Sequence, residues 1–182
     1  MDFLEIYDLY HGPVKTFILK MVGDPWITDD LTQDTFIKVQ KNLIGLKDVS
    51  KLMPWIFRIA RNRCLDYFRS GATKNKGQEM AYPLQKSIES VAQMQLEQHQ
   101  MSQCVQDKIR LLHETLRVAL VLSDTMEMTH QEIADILGIT VSNVKVRIHR
   151  ARKAFKEILE QECTFEHDER SVMVCEPKTD AP

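Results

Sequence analysis

No run of apolar residues in this chain is long enough to cross a bilayer. The longest, around Val118–Leu122, is five residues, whereas a spanning helix needs about 20. A secretory leader is not expected either, because Asp2 and Glu5 stand where a basic start and an apolar stretch belong. Cysteine is sparse. Cys64, Cys104, Cys163 and Cys175 lie far apart and form no dense framework, which favours a reducing, cytoplasmic setting over secretion. Glycine is scarce, at six of 182 residues, and none sits in a phosphate-cradling loop. No nucleophile stands beside a base, so an enzyme has little support and no cofactor is expected. A one-signed charge excess is missing too. The net charge of -2 and pI near 6.3 argue against a protein that coats nucleic acid indiscriminately. Sustained β alternation is also lacking, which leaves an all-α fold as the expectation.

What is present is charge in patches. From Arg58 to Lys76 there are six basic residues against Asp66 alone, and from Lys145 to Glu157 six against Glu157 alone. From Glu160 to Asp180 seven acids face only Arg170 and Lys178. The global figure averages over segments that act separately.

Apolar spacing is helical along most of the chain. Phe3, Ile6, Tyr7 and Tyr10 mark a helix expected to end at Gly12-Pro13, and Val14, Phe17, Ile18 and Met21 mark the next. Thr28 is placed to cap a third, with Asp29 and Asp30 in its first turn, and Leu31, Thr35, Val39 and Leu43 on its buried side. Gly45–Met53 reads as a loop, and Pro54 as the first residue of a basic, aromatic helix. Between Ser70 and Met101, Gly71, Gly77 and Pro83 interrupt the pattern and glutamine becomes common, so residues 71–104 read as a flexible linker with some helix near Ser87–Gln103. Extended, even part of it spans more than a DNA turn of about 34–36 Å. The expected organisation is thus two small helical domains, 1–70 and 105–160, with an acidic tail over 161–182.

The second domain carries the clearer motif. Ile109, Leu112, Leu116 and Leu120 are spaced for one core helix. Thr129-His130-Gln131-Glu132 is a capping box, Ile133, Ile136 and Leu137 share a face, and Gly138 supplies a left-handed turn. Thr140 can cap the next helix, in which Val144, Ile148, Ala151, Phe155 and Ile158 form an apolar stripe. This is a helix-turn-helix pattern. On the opposite face lie Ser142, Asn143, Lys145, Val146, His149, Arg150 and Lys153, where the first turn of such a helix meets base edges. Lysine and arginine suit guanine acceptors, and Arg147 and Arg152 at the flanks suit phosphates. Over Pro54–Arg69, aromatic residues interleave with arginines as single-strand binding requires. A core helix with aromatics inward and arginines outward has the same pattern, and the two readings are compatible.

Asp30-Leu-Thr-Gln-Asp-Thr-Phe-Ile-Lys-Val39, Pro54-Trp-Ile-Phe-Arg-Ile-Ala-Arg-Asn-Arg63 with Leu65-Asp-Tyr67, and Thr129–Lys153 resemble regions two and four of bacterial sigma factors of the extracytoplasmic-function type, in the right order. The resemblance covers roughly Phe3–Ser70 and Val105–Leu159. It implies an alternative sigma factor that binds core RNA polymerase, recognises promoter DNA at its −10 and −35 elements, promotes melting, and is held by an anti-sigma factor without inserting in a membrane. Asp30, Gln33, Asp34, Phe36 and Lys38 would dock on the polymerase clamp, where acids facing a basic surface make physical sense. Trp55, Arg58, Arg61 and Asn62 would lie at the −10 element, with Asn62 reading a flipped-out base. Lys145, Val146, His149 and Arg150 match positions that read the −35 element. The loop Leu46-Lys-Asp-Val-Ser-Lys-Leu-Met53 departs from the family in lacking aromatics.

The tail offers Cys163, His167 and Cys175. They supply three zinc ligands where a structural site needs four, so no metal site is assigned. A redox pair and inert thiols are the other readings. The acidic tail could also shield the basic helix beside it. A stand-alone helix-turn-helix regulator and a thiol-based sensor are the rival functions. The first assigns no role to the Asp30–Val39 and Pro54–Arg69 pairing.

Overall fold

A computed structural model of the chain describes residues 2–46, 48–70, 104–167 and 173–177. Most of the proposed linker, and the helix expected near Ser87–Gln103, fall outside them.

Helix α1, Phe3–Val22, opens on a capping box. The Glu5 amide donates to Asp2 Oδ1 at 2.9 Å and the Asp2 amide to Glu5 Oε2 at 2.8 Å. It is one helix, where two were expected, and it runs through Gly12 and Pro13. A proline inside a helix removes one hydrogen bond and crowds the preceding turn. Here the burial of Ile6 before it, and of Val14, Phe17, Ile18 and Met21 after it, keeps the axis continuous. Gly23, at φ 73°, ends α1 in the left-handed region.

Helix α2, Pro25–Asn42, is capped by Asp24 and not by Thr28. Asp24 Oδ1 accepts from the amides of Trp26 (2.9 Å) and Ile27 (3.1 Å), and Pro25 takes the first helical position. Thr28 lies within the helix. Thr28, Thr32 and Thr35 are buried and each donates its hydroxyl to the carbonyl four residues back, at 2.7 Å, so no buried hydroxyl is left unpaired. Helix α3, Leu52–Arg69, follows two short 3₁₀ turns and starts two residues before Pro54. It buries Ile56, Phe57, Ala60, Cys64 and Leu65. Phe57 meets Phe17 edge-on, with centroids 5.6 Å apart.

In the second half, helical residues 104–111 (α4) and Glu114–Leu120 (α5) replace the single helix expected through Leu112. His113 breaks it by accepting from the Thr115 amide as a cap. Helix α5 ends in a π turn over Val121–Thr125, after which Glu127 holds φ 53°. Helix α6, His130–Leu137, begins on the expected Thr129–Glu132 capping box and stops at Gly138, φ 68°. Helix α7, Val141–Glu162, begins at Thr140, whose hydroxyl accepts from the Asn143 amide at 3.3 Å. Val144, Ile148 and Ala151 are buried, while Phe155 and Ile158 are half-buried against the same core.

One departure from the all-α expectation is small. Cys163–His167 (β1) and Met173–Pro177 (β2) form an antiparallel hairpin, with Cys163 opposite Pro177 and Phe165 opposite Cys175. Five-residue strands in a charged tail give too short an alternation to stand out in sequence. The hairpin leaves the carboxy-terminal end of α7, roughly 30 Å along the helix from its first turn. Cys163 is a buried free thiol, and no cluster of metal-ligating side chains occurs among the described residues.

The two halves are packed together: α6 lies on α3, and the π turn meets α1. No described helix is long and apolar enough to cross a membrane.

Candidate nucleic-acid and polymerase interfaces

The helix-turn-helix face is built as the sequence implies. Thr140 and Gly138 fix where α7 begins, and the buried Val144, Ile148 and Ala151 fix its rotation. Ser142, Asn143, Lys145, Val146, His149, Arg150 and Lys153 are all exposed as a result. Val146 keeps 49% of its surface open, an apolar contact point among cations. Lys153 faces Glu157 only loosely, at 3.9 Å.

The two flanking arginines differ from expectation. Arg152 is committed to the protein, with Nη2 and Nε donating to the two Asp124 oxygens at 2.7 and 3.0 Å. That bidentate pair holds the Asp124 carboxyl below its ordinary range, chiefly through the hydrogen bond from Arg152. Arg147 is half-buried, and its charge is felt by Arg61 of α3.

On α3, Arg58 and Asn62 are exposed, while Trp55 and Arg61 are half-buried. Asn62 opens into a polar cavity of about 350 Å³ lined by Lys38, Ile59, Asn62, Arg63, Leu65, Asp66 and Arg69. Lys38 of α2 thus stands beside the base-reading candidate rather than only among the docking residues. Trp55 and Arg58 do not line it. Ile59, Arg63 and Asp66 share the Asn62 face at helical spacing, and that periodicity was the signal by which they could have been found. Arg63 Nη2 pairs with Asp66 Oδ2 at 2.6 Å. Arg61 has a depressed pKa, first because it is buried and then because Arg147 and Arg69 are near. Its Nε is buried without a partner.

Helix α2 presents Asp30, Gln33, Asp34 and Lys38 to solvent. Phe36 is the exception in this docking set. Only 3% of its surface is exposed, and its ring packs edge-on against Tyr7 at 4.9 Å and near His11 at 5.9 Å. It supports the exposed face from beneath. The apolar contact on that face is Ile37, 41% exposed, which the sequence reading passed over. Nor do all the acids form one free field, because Asp24 caps α2 and Asp29 pairs with Lys15 at 2.6 Å.

Family comparison agrees with this geometry. Residues 6–73 match the model of Sigma-70 region 2, and residues 102–155 that of Sigma-70, region 4. The chain belongs to the sigma-70 family. It is 33% identical over 168 residues to the RNA polymerase sigma factor SigZ of Bacillus subtilis (strain 168), covering 92% of this chain and 93% of that one. It is 30% identical over 155 residues to the ECF RNA polymerase sigma factor SigM of the same organism, covering 85% and 93%. Among solved structures, the sigma factor RpoE from Bartonella quintana, crystallised with the anti-sigma factor NepR, superposes with a TM-score of 0.66 at 22% identity over 87% of this chain and 97% of that one. That likeness establishes a shared fold. The chain is an alternative sigma factor of the extracytoplasmic-function type, a transcription initiation factor.

Proposed function

We propose that the exposed faces of α2, α3 and α7 divide the work of initiation among themselves. Asp30, Gln33 and Asp34, with Ile37 as the apolar contact and Phe36 as its support, dock on core RNA polymerase. Asn62 and its cavity take a base extruded from the −10 element, Lys38 and Arg69 line the path of the strand, and Trp55, Arg58 and Arg61 hold the opened DNA. Extrusion costs a few kcal/mol, so a preformed polar pocket beside cations is what the step needs. Ser142, Asn143, Lys145, Val146, His149 and Arg150 read the −35 element in the major groove, with Arg147 and Lys153 on phosphates.

The observation that carries this reading is the pairing of a polar pocket around Asn62 with the exposed Ser142, Asn143, Lys145 and Val146 at the start of α7. Residues 1–70 and 105–160 act as the two functional domains, with residues 71–104 between them and 161–182 as a tail. The protein catalyses nothing itself. Binding energy drives melting while the polymerase performs the chemistry in the cytoplasm. The RpoE relative is bound by an anti-sigma factor, and a regulator of that kind is proposed for this chain.

Transcription with purified core polymerase on a pool of promoter fragments tests the assignment. New discrete transcripts, with permanganate-reactive thymines near −10 that vanish in Asn62→Ala, are expected. Duplex binding without polymerase recruitment would favour a stand-alone regulator instead.

A further inference from the structure

Among the described residues the one sheet is only two strands wide. A hairpin of that size is marginally stable alone, and gains from packing or from a third strand. Packing is supplied at its root. Cys163 follows α7 without a break, its amide donating to the Leu159 carbonyl, and only 2% of its surface is exposed. Thr164, the next residue of β1, is exposed.

The register sorts the strand residues into two sets, because successive positions alternate between the faces of a sheet. Cys163 lies opposite Pro177, Phe165 opposite Cys175, and His167 opposite Met173. Thr164 lies opposite Glu176, and Glu166 opposite Val174. In phase with buried Cys163 the sequence is apolar except for His167. In phase with exposed Thr164 it carries Glu166 and Glu176.

Strand β2 has β1 on one side and, among the described residues, no strand on the other. Such an edge presents amides and carbonyls that template a further strand. Proline and charge are the usual means of blunting it. Here Pro177 removes an amide only at the last position of β2, and the charge is of one sign. From Glu160 to Asp180 seven acids stand against Arg170 and Lys178. A second copy of the hairpin would set like charges opposite one another, which destabilises a strand pair. A strand of the opposite charge is attracted by the same excess.

We infer that the free edge of β2 is a docking site for an extended segment of a partner protein, one in which basic and apolar residues alternate. The segment adds to the hairpin as a third strand. Main-chain hydrogen bonds along Met173–Glu176 give the affinity, and the alternation gives the specificity. Its basic residues fall in phase with Glu176, and its apolar residues in phase with Cys175. The hairpin begins at the opposite end of α7 from the reading turn, roughly 30 Å away. A strand held there leaves Ser142, Asn143 and Lys145 open, so the chain can hold this partner and DNA together.

The probe is a synthetic Lys-Val-Lys-Val-Lys-Val-Lys peptide added to the full chain, with amide exchange followed residue by residue by NMR. Amides within Met173–Glu176 are expected to exchange about tenfold more slowly with the peptide bound. The same peptide with alternate backbone amides N-methylated keeps its charge but cannot pair, and is expected to give no protection. A Glu-Val peptide of equal length should also give none. In a Glu166→Lys, Glu176→Lys double variant the preference is expected to reverse toward the Glu-Val peptide. If that variant loses its hairpin, the three peptides on the wild-type chain still decide the matter. Equal protection by the N-methylated peptide would reduce the contact to charge attraction and overturn the strand docking. Absence of protection along β2, or a doubled mass of the free chain with β2 already protected, would overturn it too.

Discussion

Buried and exposed groups lie side by side on α3. Cys64, with no exposed surface, has its thiol pushed up to about 12 by burial. A raised folded pKa contributes stability that is complete below the unfolded value near 9 and is lost as pH rises toward 12. Alkaline unfolding is therefore expected to begin above about pH 9 and to be postponed in Cys64→Ala. Thiol titration at neutral pH should find Cys64 unreactive while half-buried Cys104 reacts. Lys145 and Arg150 on α7 face water, where the proposed −35 contacts would be made. Lys145→Ala and Arg150→Ala should each cost about 1–3 kcal/mol of discrimination at one base pair of the −35 element. Competition binding against single-position variants of the site measures this, and a uniform loss across all sequences would reassign the residue to phosphate contact.

At the scale of elements, the helix-turn-helix depends on its connection to the π turn as much as on its own caps. Asp124 sits in the π turn and receives both Arg152 donors, so Arg152 fixes where α7 leaves the core. Arg152→Ala is expected to lower the melting temperature while leaving the slope of log affinity against log salt unchanged, because no phosphate contact is lost. A slope shallower by about one would return Arg152 to the DNA. The sign of the pH effect follows from the Asp124 pKa, which is lowered. Its contribution is present above the unfolded carboxylate value, near 3.9, and is lost as pH falls through the lower folded value. Much at this scale is legible in sequence. The Thr129–Glu132 box, Gly138 and Thr140 each act within four residues and appear where they were read. The misassignments have a common cause. Gly12-Pro13 and Thr28 both signal a local boundary, yet packing of the flanking turns against Phe17, Phe57 and Val39 carried the helices through them.

At the scale of the molecule, two glycines separate a backbone requirement from a contact between the halves. Gly23 (φ 73°) and Gly138 (φ 68°) share the left-handed conformation, which costs a side chain about 1–2 kcal/mol. A Cβ on Gly138 meets open space, whereas one on Gly23 overlaps the Arg110 side chain arriving from the other half. Gly138→Ala should thus show the backbone penalty alone. Gly23→Ala should show a somewhat larger loss in melting temperature, because the flexible Arg110 side chain must also shift to admit the Cβ. Equal effects of the two substitutions would mean that Arg110 steps aside at no cost.

The sequence alone determined the helical class, the order of the two regions, the capped start of α7 and the exposure of its reading face, since each follows from periodicity and caps spanning a few residues. It also carried the family, through motifs in register. Only the tertiary structure decided that Phe36 turns inward while Ile37 faces out, that Arg152 serves Asp124, that Lys38 stands beside Asn62, and that Arg117 donates to the Met21 carbonyl at the end of α1. Each of those outcomes depends on competition between faces of one helix or on partners as far as 96 residues away. Local pattern names the groups able to interact, and packing across the whole chain selects the partner each one meets.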